Sequence, residues 1–284
     1  MNKIKLAAFA DEISDSLLEQ IQGIKKNGIN LIELRSIDGK NVSTFSKKEI
    51  CEYAKIIKEE GASVWAIGSP IGKVDVNVDF NKYKDDVKKM CETACAFNTD
   101  KIRMFSFFNA TQERDKVLAQ LSDMVEIANS YGVNLYHENE KGIYGERKDN
   151  VLDLMANVKG LKYIYDPANF LQAGDFAKQT ISALVEKSDY FHIKDAISQT
   201  GENVPAGYGD GKIDQMIKKI DFDTTLSLEP HLAVFSSLED IQNSEIKYKF
   251  SFLSGLEAFT FAVNSLKTIL EKCGYKENNG IFVK

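Results

Sequence analysis

The chain has little that would cross-link it, anchor it or draw it to a polyanion. Its four cysteines, Cys51, Cys91, Cys95 and Cys273, show no CxxC pair and no dense spacing, which argues against a disulfide framework. Cys91 and Cys95 stand four apart on a helix-like stretch and could supply half a metal site, although buried packing is the simpler reading. Long apolar runs are also missing. The brief one in MNKIKLAAFADEIS is broken by Asp11 and Glu12 before a signal-peptide core or a membrane span can form, so a cytoplasmic protein with no membrane partner is expected. Basic charge is short as well: a net charge of -6 argues against a chain built mainly to hold nucleic acid.

What is present is ample apolar material and a repeated grammar. The chain has 284 residues, 43% of them hydrophobic, enough for a large core and close to the roughly 250 residues typical of an eight-unit α/β barrel. No linker or low-complexity tract interrupts it, so residues 1–284 are read as one domain. Strand-like runs fall at Leu6–Phe9, Leu31–Arg35, Val64–Ile67, Ile102–Phe107, Val133–His137, Tyr163–Tyr165, Tyr190–Ile193 and Thr225–Leu228, eight in all, with helix-like segments between them.

The helical signals are specific. Leu17, Leu18, Ile21 and Ile24 share a face after a capping candidate at Ser14 or Asp15, and Gly28 ends that segment. Ser46 and Glu49 form a capping-box pattern before a helix that Gly61 stops. Further helices are expected through Val87, Cys91 and Ala94, through Val117, Leu121, Val125 and Ala128, and from about Phe252 to Leu270. Strands alternating with helices imply parallel pairing with right-handed crossovers. Eight such units fit a closed (β/α)8 TIM barrel better than the alternative, an open doubly wound sheet.

Four polar residues carry the chemistry. Glu138, Asp166, His192 and Glu229 each sit where a strand-like run becomes a loop, at intervals of 28, 26 and 37 residues, about one strand-helix unit each. Strand side chains alternate between faces. Val133 and Leu135 oppose Glu138, Phe191 and Ile193 oppose His192, and Leu226 and Leu228 oppose Glu229. With the apolar face outward, all four polar groups meet at the C-terminal mouth, where this architecture builds its active sites. Three clustered carboxylates repel one another in a partly dry pocket unless protons or a cation compensate. One divalent ion would do so, with the imidazole as a fourth ligand, and this donor set suits Mn, Mg, Co or Zn. For any one of these residues alone, a loop cap or surface ion pair is the competing explanation.

HENEKGIYGE (137–146), DPANF (166–170), HIKDA (192–196), PAGYGDG (205–211) and LEPHL (228–232), with FADEIS (9–14), IELR (32–35) and SPIGK (69–73), resemble the xylose-isomerase-like barrel superfamily, specifically its sugar phosphate isomerase/epimerase members of the D-tagatose 3-epimerase type. The set is specific for the superfamily, whereas no single motif names a substrate. The resemblance implies a divalent metal on Glu138, Asp166, His192 and Glu229, with Glu138 and Glu229 doubling as acid and base on a small carbohydrate or its phosphate. Such chemistry removes a proton next to a carbonyl while a Lewis-acidic metal stabilises the enediolate. Asn169, a candidate substrate contact, stands where many of the epimerases carry a histidine; its amide could still hydrogen-bond a sugar hydroxyl or a metal-bound water but cannot be protonated at neutral pH.

Other readings within the superfamily are a lyase like the inosose dehydratases, a non-catalytic sugar-binding relative, and a DNA-repair endonuclease. The last needs several metals, many more histidines than the three present, and a basic groove. Pairing of copies through the helical layer or rim loops is common in such barrels, and a homo-oligomer is compatible with the resemblance.

Secondary candidates for substrate contact are Lys73, Arg103, Lys194 and His231. Lys73 in SPIGK could meet a substrate anion or remain solvated. Arg103 could point inward or lie at the barrel's foot in an ion pair. Lys194 shares the parity of His192 and faces the mouth, while His231 is either a substrate contact or a surface donor. Glu33 and Arg35, on one parity of the second strand, are expected to pair with each other. The glycines of PAGYGDG suggest a flexible rim loop, with no phosphate-binding fingerprint. His137 has the opposite parity to Glu138 and turns toward the helices, and HEN is not a metalloprotease HExxH motif.

Overall fold

The computed structural model describes residues 2–233, 250–278 and 280–284. Eight strands, β1 (Lys3–Ala8), β2 (Leu31–Leu34), β3 (Ser63–Ile67), β4 (Lys101–Met104), β5 (Asn134–Glu138), β6 (Lys162–Tyr165), β7 (Tyr190–Ile193) and β8 (Thr224–Leu228), follow one another around a ring. All neighbours are parallel, and β8 closes on β1 with Leu6 opposite Leu226 and Ala8 opposite Leu228. The expected (β/α)8 TIM barrel is therefore observed, and the open sheet is excluded. No helix of the described residues is long and apolar enough to cross a membrane.

The helices that cover the ring are α1 (Leu17–Lys26), α2 (Lys47–Glu59), α3 (Phe80–Ala96), α4 (Arg114–Ser130), α5 (Lys148–Asn157), α6 (Pro167–Gln172), α7 (Ala177–Leu184), α8 (Ile213–Lys219) and α9 (Gly255–Lys272). Before α2 the capping box forms as read: Ser46 N–H donates to Glu49 Oε2 at 2.8 Å and Glu49 N–H to Ser46 Oγ at 3.3 Å. Among the boundaries that differ, three have a visible local cause. The N-cap of α1 is Ser16, and its amide donates to Ser14 Oγ at 3.2 Å, so Ser14 shapes the turn before the cap. α9 starts at Gly255 rather than Phe252, because the Ser254 side chain accepts from Glu257 N–H and fixes the first turn there.

The third difference bears on the mouth. β4 ends at Met104, since Phe105–Phe108 leaves the ring and pairs with the loop after β3: Phe105 N–H donates to Ile71 O at 2.8 Å and Phe107 N–H to Gly72 O at 2.9 Å. A Cβ at Gly72 (φ +87°) would lie 2.0 Å from Phe105 O. The glycine of SPIGK is thus required by a close backbone approach.

Packing follows the alternation. Leu135, Phe191, Ile193, Leu226 and Leu228 point outward into the large core between ring and helices. Inside the ring, Tyr136, Ile164 and Tyr190 form a separate small cluster, with Trp65 edge-on to Tyr190 at 6.2 Å. Glu138, Asp166 and His192 lie two residues further along the same chain segments, one layer closer to the C-terminal end. Beyond the eight strands, a C-terminal hairpin of β9 (Lys276–Asn278) and β10 (Ile281–Val283) adds antiparallel to β1, with Lys3 opposite Val283. Cys91 is buried, as a packing role requires, whereas Cys95 is exposed.

Candidate metal centre

Glu138 closes β5, Asp166 follows β6, His192 lies within β7 and Glu229 follows β8. One ligand atom from each lies within 4.8 Å of the others, and all four residues are buried. That span is within a few tenths of an ångström of the roughly 4.4 Å between opposite ligands on bonds of about 2.2 Å. His192 Nδ1 stands 2.9 Å from Glu138 Oε1 and 3.4 Å from Glu229 Oε2. Asp166 is also the N-cap of α6: its Oδ1 accepts from Asn169 N–H at 2.9 Å, which leaves Oδ2 aimed at the centre.

The donor set passes a further test of fit. Glu138 Oε2 and Asp166 Oδ2 are fully buried and accept no hydrogen bond, an expensive state for a carboxylate oxygen unless a cation serves it. They meet only ion-pair contacts, Arg103 Nη1 at 3.3 Å and Lys194 Nζ at 3.0 Å. Burial pushes the Asp166 carboxyl up to about 7, with Lys194 opposing that shift and Glu138 adding to it. Burial alone would lower the His192 imidazole, but Glu138 and Glu33 outweigh it and hold it well above its ordinary value. Burial would raise Glu229, yet Lys194 and His231 keep it well below the usual carboxylate range.

A family model described as the xylose isomerase-like TIM barrel matches residues 21–248. The chain belongs to that family. A comparison with curated proteins finds no match. Solved structures of the same fold include the probable 3-DHS dehydratase AsbF from Bacillus anthracis, 17% identical over 94% of this chain and 99% of the other with a TM-score of 0.70. An IOLI protein with a zinc atom is 18% identical, over 94% and 98%, with a TM-score of 0.72. D-psicose 3-epimerase, solved in the presence of D-fructose, is 15% identical over 95% and 99%, with a TM-score of 0.71.

In this xylose-isomerase-like barrel the remaining candidates fall into two groups. Arg103, Lys194 and Asn169 are buried in the lumen and touch the central carboxylates. Arg103 points inward, with Nη1 3.3 Å from Glu138 and 3.5 Å from Glu229, so it is not at the barrel's foot. Lys194 Nζ stands 3.0 Å from Asp166 and 3.4 Å from Glu229. Asn169 Nδ2 donates to Glu138 Oε1 at 3.2 Å and to Asn139 O at 2.9 Å.

Lys73 and His231 lie further out. Lys73 is not a free solvated amine: Nζ donates to Glu140 Oε2 at 3.0 Å and sits 4.3 Å over the Phe105 ring. His231 is no surface donor, being 1% exposed. It holds a left-handed backbone (φ 49°), its N–H donates to Glu12 Oε2 at 2.8 Å, and its Nε2 is 3.5 Å from Glu229. Burial, with Lys194 nearby, lowers its imidazole to about 4.

Two expectations are overturned, one by contacts between strands and one by a carboxylate within the same loop region. Glu33 and Arg35 do not pair with each other. Arg35 forks onto Asp11, with Nε at 2.8 Å and Nη2 at 3.0 Å, and donates from Nη1 to Glu229 at 2.9 Å. Glu33 crosses the lumen to His192 Nε2. The PAGYGDG loop is pinned: Gly207, Gly209 and Gly211 each donate a backbone N–H to the Asp195 carboxylate at 2.9, 3.1 and 2.9 Å. A Cβ at Gly209 would lie 2.4 Å from Asp195 Oδ1, so that glycine admits a carboxylate of the chain itself. His137 faces the helix layer as expected, with Nε2 2.9 Å from Ser106 Oγ, and burial drives it down to about 3.

Asp11, Glu12 and Glu33 border the four-residue cluster, a placement that sequence reasoning did not give them. Asp11 and Glu12 drew notice only as a break in an apolar run and as part of FADEIS, and Glu33 only as part of IELR and as a partner for Arg35. The signal available was two acids directly after a strand and an acid on the inward parity of another.

Proposed function

We propose that this chain is a divalent-metal-dependent sugar, or sugar phosphate, isomerase or epimerase that works by proton transfer at the carbon next to a carbonyl. The observation carrying this reading is the convergence of four buried ligand atoms, from Glu138, Asp166, His192 and Glu229, within 4.8 Å at the C-terminal end of the ring. These four residues would hold a divalent cation, Mn, Mg, Co or Zn, which would supply Lewis-acid polarisation of the substrate carbonyl.

The residues do the rest. Glu138 and Glu229 reach the centre from β5 and from the end of β8, walls separated by two strands. One can remove a proton from one face of the sugar carbon and the other return one to the opposite face, inverting it, while a single shared base would exchange aldose and ketose. Asn169 holds Glu138 through Oε1, a positioning contact with no protonation chemistry of its own. Lys194 and Arg103, buried against the carboxylates, are N–H donors placed to meet a substrate oxygen bound at the centre.

Lys194 also gives the competing reading its support. A buried ammonium 3.4 Å from Glu229 can protonate a departing hydroxyl, so the same proton removal would end in loss of water. Incubation of the metal-loaded protein in heavy water with a panel of ketoses, aldoses and their phosphates separates the two. Deuterium at the carbon next to the carbonyl with the sugar formula intact supports isomerase or epimerase chemistry, and a dehydrated product supports the lyase. Glu138→Gln and Glu229→Gln should each lower the exchange rate by about 10²- to 10⁴-fold with the fold unchanged. Exchange at the wild-type rate in either variant would remove that residue from the mechanism.

A further inference from the structure

We infer that Glu33 is the residue that sets the tautomer and the aim of His192. The inference rests on the metal reading of the centre, and concerns a residue outside the four-ligand set.

Glu33 is fully buried on β2, across the lumen from β7. His192 Nε2 lies 3.1 Å from its Oε1 and 3.2 Å from its Oε2, so the ring nitrogen faces the carboxylate fork. Tyr190 OH donates to Glu33 Oε1 at 2.9 Å from one layer below. The edge of the Phe9 ring, 5.2 Å from the imidazole at an interplanar angle of 86°, blocks rotation on another side. Such a carboxylate can only accept. Nε2 therefore carries the hydrogen, and in the neutral ring Nδ1 is left with its lone pair directed at the point shared by Glu138, Asp166 and Glu229. A hydrogen on Nδ1 instead would leave the Nε2 lone pair against two carboxylate oxygens in a dry lumen, a repulsive contact.

Metal-ligating histidines commonly donate their second N–H to a carboxylate, which fixes the ring and raises its basicity. Here that partner arrives from the opposite wall of the barrel, and Tyr190 holds it in turn. Glu33 is accordingly a positioning residue, acting through His192.

Two measurements test this. In the zinc-loaded wild-type protein, long-range ¹⁵N–¹H correlation spectra are tractable because the chain has only three histidines. The expected spectrum shows His192 protonated at Nε2 and bound to zinc through Nδ1, and protonation at Nδ1 overturns the inference. In calorimetric titration with Mn²⁺, Glu33→Gln should raise the dissociation constant by about 10- to 100-fold, the range seen when such partners are lost. Tyr190→Phe should raise it by less. Folded Glu33→Gln protein, checked by circular dichroism, that binds Mn²⁺ within twofold of wild type would overturn the inference while leaving the metal reading intact. Wild-type protein that binds neither Mn²⁺ nor Zn²⁺ would overturn both.

Discussion

The mouth of the barrel holds two carboxylate assemblies side by side, and they treat their oxygens in opposite ways. On one side Asp11 receives Arg35 through two nitrogens and Ser36 Oγ at 2.7 Å. On the other, Glu138 Oε2 and Asp166 Oδ2 are equally buried and accept nothing. Glu229 joins the two, with Oε1 toward Arg35 at 2.9 Å and Oε2 toward His192 and Lys194 at 3.4 Å each. Burial is common to both assemblies, so it does not separate a structural acid from a ligand. What separates them is whether the lone pairs are already filled from within the chain. Asp11 is an acid that keeps Arg35 in place, and Arg35 keeps Glu229 in place, whereas Glu138 Oε2 and Asp166 Oδ2 face the charges of Arg103 and Lys194 with no hydrogen bond aligned on them.

The largest effect should come from cutting the joint. Arg35→Met takes the guanidinium from buried Asp11 and leaves Glu229 Oε1 to the more distant Arg103, at 3.5 Å, a change that costs about 3–5 kcal/mol when one partner of a buried pair is lost. Thermal unfolding of the metal-free protein should drop by roughly 6–15 °C. A melting temperature within 2 °C of wild type would show that the guanidinium is not what stabilises the filled side.

How much of this arrangement the sequence discloses depends on how far each contact reaches across the ring. Glu138, Asp166, His192 and Glu229 were legible because each is fixed by its own strand: parity sets the face and the strand-helix interval sets the rim. Glu33, Arg35 and Arg103 share the inward face too, but their partners stand on β7, after β1, and on β5 and beyond β8. Closure brings Glu229 beside Arg35 and His192 opposite Glu33, while the pairing of neighbouring strands sets Arg35 on Asp11 and Arg103 on Glu138. Adjacent charged residues on one strand therefore suggested a local ion pair that the closed ring replaces with two transverse ones. The glycines of PAGYGDG were legible as backbone signals, but not the Asp195 carboxylate they surround. The C-terminal hairpin, with strands of three residues each, was too short for alternation to register.

An intermediate effect, opposite in sign, is expected on the unfilled side. The Asp166 carboxyl titrates near 7 in the folded protein, against an ordinary value of 3.8, because burial opposes its charge. Between about pH 4 and 7 the folded state thus holds a proton that the unfolded state has released. This group's contribution to stability falls as pH rises through that window and levels off above it. Asp166→Asn removes the titration. Metal-free variant and wild type should be closest in stability near pH 4, and the variant should gain on wild type by up to a few kcal/mol by pH 7. Chemical denaturation across that range checks it, and a difference independent of pH would mean Asp166 is served within the chain as Asp11 is. Saturating Mn²⁺ should reverse the order at pH 7, because the amide is the poorer ligand.

The smallest effect is the sharpest check on the filled side. Ser36→Ala removes a single hydroxyl donor, 2.7 Å from Asp11 Oδ2, and leaves both nitrogens of Arg35 on the carboxylate. Oδ2 still accepts from Arg35 Nε, so no buried oxygen loses its last donor, and the expected cost is about 1.5 kcal/mol, the low end for one hydrogen bond to a charged group. Thermal unfolding should fall by roughly 2–6 °C. Mn²⁺ affinity should stay within twofold, because Arg35 continues to fix Glu229. Loss of Mn²⁺ binding in Ser36→Ala would mean that the two assemblies are a single coupled network, in which Asp11 contributes to holding the cation rather than only to holding Arg35.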